Sequence, residues 1–485
     1  MCKKVLIHFG SILCLGLFVS SGWCAVPIVQ LLNSYSSGGY GASAVALADV
    51  NGDGKLDMMV ANSCVTADTC SSGGTVGVLL GNGDGSFQPV QTYSSGGQYA
   101  SWVMAQDLNG DGKLDVIVAN RTMATGVGGI GILFGNGDGT FQPVVSIVSG
   151  GSPVNGVAVA DLNHDGIPDI AIANWTDQNW YYGGSITVLL GAGAGKFQAA
   201  QTFWSGGTWT NSVAAADVNG DGVADLLVGN EGFVSVLLGI GDGTFRTPVR
   251  YRSGGSEGCW VLAADMNSDG KLDLVVANQF GPNRVEGYST VGILFGNGDG
   301  TFQPVKRSWT ATEFAFSLVL ADLNRDNKAD ILVTAEKLVA FWGQGDGTIR
   351  RAPLMPFSRG TVAAGDVDGD TRTDIIQAAD SQLNVLRNVI PFVTTTALAA
   401  SVNPVNHGQP VTLTAQVVTS GPYDATGKVK FRDGSKVIGT ATLHSGVATL
   451  TKSNLAVGTH HITALYAGDA DSDKSTSPAW DEVVQ

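Results

Sequence analysis

The sequence predicts an all-β protein: a seven-bladed β-propeller closed by an N-terminal strand, followed by a β-sandwich. Three observations carry this expectation. A nine-residue acidic segment recurs seven times, at 49–57, 107–115, 161–169, 217–225, 265–273, 322–330 and 366–374. Short alternating apolar runs surround each copy. After residue 388 the acidic segments stop, and a second set of alternating runs fills the remainder.

The first element is an address. Lys3 and Lys4 precede an apolar stretch from Val5 to Val19 and small residues at 20–22, the order of a secretory leader, assigned to 1–25. A cut after Gly22 suits that order better than one after Ala25, and Ser21-Gly22-Trp23 ahead of Cys24 makes a poor lipoprotein signal. The stretch falls short of the ~20 residues a membrane helix needs, so export without a membrane span is expected. Composition agrees with a packed, exported chain. Of 485 residues 44% are hydrophobic and 14% charged, which excludes wholesale disorder. A net charge of −15, from 42 acidic against 27 basic residues, excludes a nucleic-acid grip, which needs clustered Lys and Arg.

Residues 26–388 read as the ring. In the first repeat Val45 and Leu47 share one face of a strand whose other face is alanine. Strands at 58–61 and 76–80 follow, then a GNGDG turn at 81–85 and a fourth strand from Phe87. Four strands recurring every roughly 44–58 residues suit propeller blades, whose period is ~40–50. The fourth strand starts at Phe87, Phe141, Phe197, Phe245, Phe302 and Ile349, and the seventh repeat lacks it. Residues 28–39 match the missing piece, ending as 93–97 do in Tyr-Ser-Ser-Gly-Gly. The N-terminus is therefore expected to complete the last blade and leave no open edge.

The acidic segments have oxygen donors at positions 1, 3, 5 and 9, a backbone carbonyl at 7 and usually glycine at 6. That set suits calcium, which takes six to eight oxygens in a tolerant shell. The candidate ligands are Asp49, Asn51, Asp53 and Asp57 with the Lys55 carbonyl; Asp107, Asn109, Asp111 and Asp115 with Lys113; and Asp161, Asn163, Asp165 and Asp169 with Ile167. They continue as Asp217, Asn219, Asp221 and Asp225 with Val223; Asp265, Asn267, Asp269 and Asp273 with Lys271; and Asp322, Asn324, Asp326 and Asp330 with Lys328. The seventh set is Asp366, Asp368, Asp370 and Asp374 with Arg372. Up to seven ions are expected, with the seventh disfavoured because Thr371 stands where the turn wants φ > 0, a place Asn327 tolerates in the sixth. These loops hold more than half of the chain's 42 carboxylates, which would repel one another without cations. The alternative is a set of Asx turns satisfied by backbone N–H groups. Zinc is disfavoured, since the loops contain no thiol and only one histidine, His164.

With DVNGDGKLD at 49–57 and its six echoes in register, residues 28 to about 390 resemble the FG-GAP/VCBS repeat family, the calcium-loop propellers of integrin α-subunits and many exported bacterial proteins. The resemblance implies a secreted or cell-surface adhesion module on a monomeric ring. The FG and GAP tripeptides themselves are loose, as in Gly85-Ser86-Phe87, which points to the bacterial branch.

Residues 389–395 read as a linker, and 396–485 as seven short strands with a hairpin signal at Asp433-Gly434. The order NPVNHGQPVTLTAQV, GKVKFRDG, GVATL and LAVGTHHITALYAGD resembles bacterial Ig-like repeats, which makes this an Ig-like β-sandwich. In the ring, Cys64 and Cys70 are placed for a local disulfide in an oxidising compartment, and Cys259 reads as a small buried hydrophobe.

Function is expected on the face opposite the acidic loops, where the loops vary most. There Trp102, Trp175, Trp180, Tyr181, Tyr182, Trp204 and Trp209 are candidates for binding an extracellular glycan or protein ligand by stacking, or else for packing the loops together. No nucleophile elbow, zinc motif or Walker loop is present, so a non-enzymatic protein is expected. Two alternatives stand beside this reading. One is a purely structural surface spacer; the other is an extracellular carbohydrate-active enzyme using a carboxylate pair such as Asp177 and Glu231.

Overall fold

The computed structural model describes residues 28–67, 73–177, 183–282, 287–355, 357, 360–420, 424–469 and 471–485. The expected leader, Cys70, Trp180, Tyr181 and Tyr182 lie outside the described residues, as does the side chain of Asp177. No helix among the described residues is long and apolar enough to cross a membrane.

Seven four-stranded antiparallel sheets form the body of the protein. The first blade takes Tyr40–Ala48, Asp57–Cys64, Thr75–Leu79 and Gln91–Ser94 in spatial order, and the next five blades repeat it. The seventh takes Thr361–Gly365, Asp374–Ala379 and Gln382–Asn388, and Val29–Ser36 from the N-terminus pairs antiparallel to the last of these, Val29 opposite Asn388 and Ser36 opposite Gln382. The first strands of successive blades neighbour one another, and Thr361–Gly365 returns to Tyr40–Ala48. The ring is therefore closed, while each sheet stays an open blade.

Packing follows from that arrangement. Second and third strands are buried on both faces because a blade lies on either side, so Met58-Met59-Val60-Ala61 runs apolar without alternation. Fourth strands show solvent on one face. Their inward aromatic meets the phenylalanine of the following blade edge-on: Tyr93 with Phe141 at 5.4 Å, Phe203 with Phe245 at 5.3 Å and Tyr251 with Phe302 at 5.4 Å. Tyr35 of the N-terminal strand meets Phe87 in the same way at 5.7 Å, and its hydroxyl accepts the Phe87 N–H at 3.0 Å. The closing strand thus makes the contact that its counterparts make elsewhere in the ring.

A buried polar staple joins the blades at the other end. Asn62 Nδ2 donates to the Ser37 carbonyl, Asn120 to Ser95, Asn230 to Ser205 and Asn278 to Ser253, at 2.8–3.2 Å. Each asparagine is fully buried, so the bond answers a group that would otherwise be costly. The same carbonyls press on the third strand. A Cβ on Gly131 would stand 2.1 Å from the Ser95 oxygen, so only glycine fits there. Blade three solves this differently, with Thr187 Oγ1 donating to the Ser149 carbonyl.

The C-terminal unit is a sandwich. One sheet pairs Thr394–Ala400, Val411–Thr419 and Val447–Lys452; the other holds Lys428–Asp433, Lys436–Thr442, Gly458–Tyr466, Ser475–Thr476 and Trp480–Val484. Leu413, Phe431, Ile462 and Tyr466 fill its core without a cysteine pair.

Gly131→Ala is expected to destabilise the ring by about 1–3 kcal/mol through this overlap. The check is a lower urea midpoint at unchanged slope.

Candidate functional site

The acidic loops join the first and second strands of each blade, so all seven lie at one end of the ring. The turn needs two residues at positive φ. Gly52 and Gly54 supply them in the first loop at 74° and 81°, and the later loops put His164, Ser268 or Arg325 at the earlier place. In the first loop Asp49 Oδ1 accepts from Gly52 N and its Oδ2 from Gly54 N, both at 2.7 Å. The Asx-turn bonds of the alternative reading are therefore present; Oδ1 also accepts from Asp53 N at 3.1 Å, and Oδ2 keeps a further lone pair.

The ninth residue is buried in every loop. Asp57 Oδ2 accepts from Val50 N at 2.9 Å and its Oδ1 from Gly81 N at 2.7 Å; Asp115 does the same with Leu108 and Gly135 at 3.0 and 2.9 Å. Burial raises the pKa of Asp57, and the nearby Asp53 and Asp49 raise it further. Asp115, Asp169, Asp225 and Asp273 show the same causes, and burial pushes Asp330 up to about 6. Carboxylates that repel one another around oxygen donors form a set that fits a hard cation.

The seventh loop differs. Oxygens of Asp366, Asp368 and Asp374 lie within 4.8 Å of one another, the one acidic group this tight among the described residues. Two arginines answer part of this loop's charge, at Asp368 and Asp370. Arg387 Nε lies 2.8 Å from Asp368 Oδ2, an ion pair without hydrogen-bond alignment, and its Nη2 donates to Asp370 at 3.0 Å. The buried Arg372 donates to Asp370 at 3.2 Å and to Asp471 of the sandwich at 3.0 Å. The Asp370 carboxylate is thus taken up by arginine, while Asp366, Asp368 and Asp374 with the Arg372 carbonyl still offer oxygen donors to a cation. Thr371 holds φ 68°, a left-handed turn that a β-branched residue adopts under strain.

The same loops hold the sandwich. Arg325 of the sixth lies over the Phe392 ring at 3.6 Å and Arg372 at 4.2 Å, while Arg325 Nη2 donates to the Ser420 carbonyl at 3.1 Å. Phe392 falls within the expected 389–395 linker but is buried, and its backbone pairs with Asp471 and Asp473. That segment is a packed joint.

At the opposite end, where the first strands begin, a cavity of about 550 Å³ lies among all seven blades. Trp102, Trp175 and Trp260 line it with Arg121, Asn155 and Asn211. Trp209 packs edge-on against Trp175 at 6.1 Å, and Asn211 Nδ2 donates to the Trp209 carbonyl at 2.7 Å. Trp204 does not join them. On Gln201–Trp204 the alternation turns Phe203 inward, leaving Trp204 on the outermost strand at 53% exposure.

An FG-GAP-like repeat model matches residues 64–118, 107–172, 174–228, 217–276 and 265–333, more than half of the chain. The chain belongs to the FG-GAP-like repeat family. A bacterial Ig-like domain (group 3) matches 398–485. Phosphatidylinositol-glycan-specific phospholipase D of Homo sapiens is 29% identical over 170 residues, 29% of this chain and 20% of that protein. The Rattus norvegicus protein is 30% identical over 166 residues, with the same shares. This chain spans about a fifth of the length of these relatives. Among solved structures, an Agrocybe aegerita lectin that recognises non-reducing terminal N-acetylglucosamine is 19% identical with a TM-score of 0.45, covering 71% of this chain and 85% of that one. A V. cholerae biofilm matrix protein is 14% identical with a TM-score of 0.40, covering 74% and 91%.

Cys64 of the FG-GAP ring is disulfide-bonded. Cys259 is fully buried, its Sγ donating to the Asn230 carbonyl at 3.0 Å, and burial pushes its thiol up to about 12, which leaves no nucleophile at neutral pH. Glu231 accepts from Thr208 Oγ1 at 3.4 Å. Sequence reading missed Arg121 and Trp260; the available signal was that Trp260 stands five residues before the fifth acidic loop, as Trp102 does before the second.

Thr371→Gly is expected to raise stability by about 0.5–1 kcal/mol by relieving left-handed strain, net of glycine's entropy. A lower denaturant midpoint would mean that the threonine side chain earns its place by a contact.

Proposed function

We propose that this chain is an exported, calcium-stabilised recognition module that binds an extracellular glycan or protein ligand at the axial cavity. The observation that carries the proposal is the convergence of Trp102, Trp175 and Trp260 with the amides of Asn155 and Asn211 on one cavity. Indole faces stack on flat apolar surfaces such as sugar rings, and amides satisfy hydroxyls or peptide groups. Trp209 supports the site by bracing Trp175.

Calcium has a structural part in this reading. The first six loops would hold it through their carboxylates, asparagine oxygens and seventh-position carbonyls, and a bound ion would supply the positive charge these clusters lack. The loops lie at the far end of the ring from the cavity, so the ion steadies the blades and does not touch the ligand. A spacer role is the second reading. It is favoured by the packed joint at Phe392, which holds the sandwich against the ring.

Two measurements test the proposal. Chelation with EGTA should lower the melting temperature reversibly, since each ion at a hundredfold above its Kd contributes about 2.7 kcal/mol. Metal analysis should find up to seven ions per chain, and a melt indifferent to EGTA would remove calcium from the account. On an array of glycans and matrix proteins, a Trp175→Ala/Trp260→Ala variant should lose roughly tenfold or more in affinity. Equal binding by the variant would move the site elsewhere, and no binding by either protein would favour the spacer.

A further inference from the structure

The axial cavity holds one charged side chain among its lining residues, and that charge is positive. In a chain with 42 acidic residues against 27 basic ones, this is the reverse of what composition favours. The acidic residues sit mainly in the loops at the other end of the ring. Arg121 is the penultimate residue of the second strand of blade two, Asp115–Thr122, and its backbone carbonyl accepts from Ser152 Oγ at 3.1 Å, which fixes where the side chain starts. Its guanidinium opens onto the cavity, and among the described residues it forms no ion pair or hydrogen bond. Burial alone lowers its pKa, with no carboxylate close enough to raise it. By contrast, Arg372 and Arg387 at the acidic end pair with aspartates, and Arg325 lies on Phe392.

Arg121 is exposed to solvent at its strand end while its surroundings crowd it, and a guanidinium so placed with no protein partner is available to an anionic ligand. Its donor fork matches a carboxylate with two parallel hydrogen bonds. Three indoles and the amides of Asn155, Asn211 and Gln279 surround it, and about 550 Å³ falls within the roughly 300–1,000 Å³ of small-ligand sites. We infer that the cavity selects acidic oligosaccharides, with Arg121 pairing to a uronate-type carboxylate while Trp102, Trp175 or Trp260 stacks on the sugar ring. A lining rich in indoles and amides favours a sugar over an acidic peptide. This inference rests on the recognition reading and deepens it.

The test is calorimetric titration of the full exported chain in millimolar calcium with oligogalacturonate, with its methyl ester, and with oligoglutamate of similar length. The acid form should bind roughly 10- to 100-fold tighter than the ester, the range of one charge-assisted pairing. Arg121→Gln should bring the acid form down to the level of the ester, Arg121→Lys should keep part of the preference, and Trp204→Ala, far from the cavity, should keep all of it. Melting temperatures of the variants separate loss of binding from loss of fold. If acid and ester bind alike and Arg121→Gln changes neither, charge selection is overturned while recognition stands. Preferential binding of oligoglutamate overturns the sugar assignment. If none of the three binds, the inference fails, and the wider array decides whether the recognition reading fails with it.

Discussion

A carboxylate buried between blades must have both oxygens answered, and the ninth aspartate of each acidic loop meets that demand by clamping two separate backbone segments. One oxygen takes an N–H from the start of its own loop; the other takes an N–H from the end of the third strand or just beyond it, as at Gly81, Gly135 and Asn388. The hairpin between the first two strands is thereby tied to the third, and the blade becomes a unit. Burial holds these carboxylates above their ordinary pKa despite the hydrogen bonds, so the charge is costly where it sits. A cation in the same loop would relieve that cost, which couples loop chemistry to blade stability.

The seventh loop keeps this clamp at Asp374 and adds arginines at Asp368 and Asp370. These two carboxylates are matched by guanidinium groups from Arg372 and Arg387, and one of these arginines reaches on to Asp471 and lies over Phe392. A loop whose charge is partly balanced internally is free to serve as a contact surface, and here it carries the sandwich. Two guanidinium groups over one phenyl ring would repel each other in isolation. Asp370 and Asp471 offset that repulsion, so the joint is an alternating charge cluster around an aromatic.

The ring also separates its charges by height. Acidic loops gather at the end where first strands turn into second strands, and the aromatic cavity opens at the end where first strands begin. The lone cation of that cavity therefore lies away from most of the carboxylates that would otherwise compete for it.

Much of this was legible in the sequence, for a physical reason. A repeat in register imposes the same local geometry seven times, so strand count, the acidic turns and the closing N-terminal strand could be read from spacing and alternation. The buried pairing of Asn62, Asn120, Asn230 and Asn278 with serine carbonyls was also latent in a recurring Ser-Gly-Gly and a later Asn, but a hydrogen bond across blades shows only when the blades are assembled. What tertiary structure alone decided are the relations around the ring. Trp102, Trp175 and Trp260 belong to three different blades and meet because closure brings the starts of seven strands to one axis, whereas Trp204, close to Trp209 in sequence, is carried to the rim by an outermost strand. The pairing of Asp368 and Asp370 with Arg387 was hidden for the same cause: Arg387 lies on the third strand and meets them only across the sheet. Sequence by itself determined the blade, because a blade is local; the cavity and the joint came from packing, because they are made between blades.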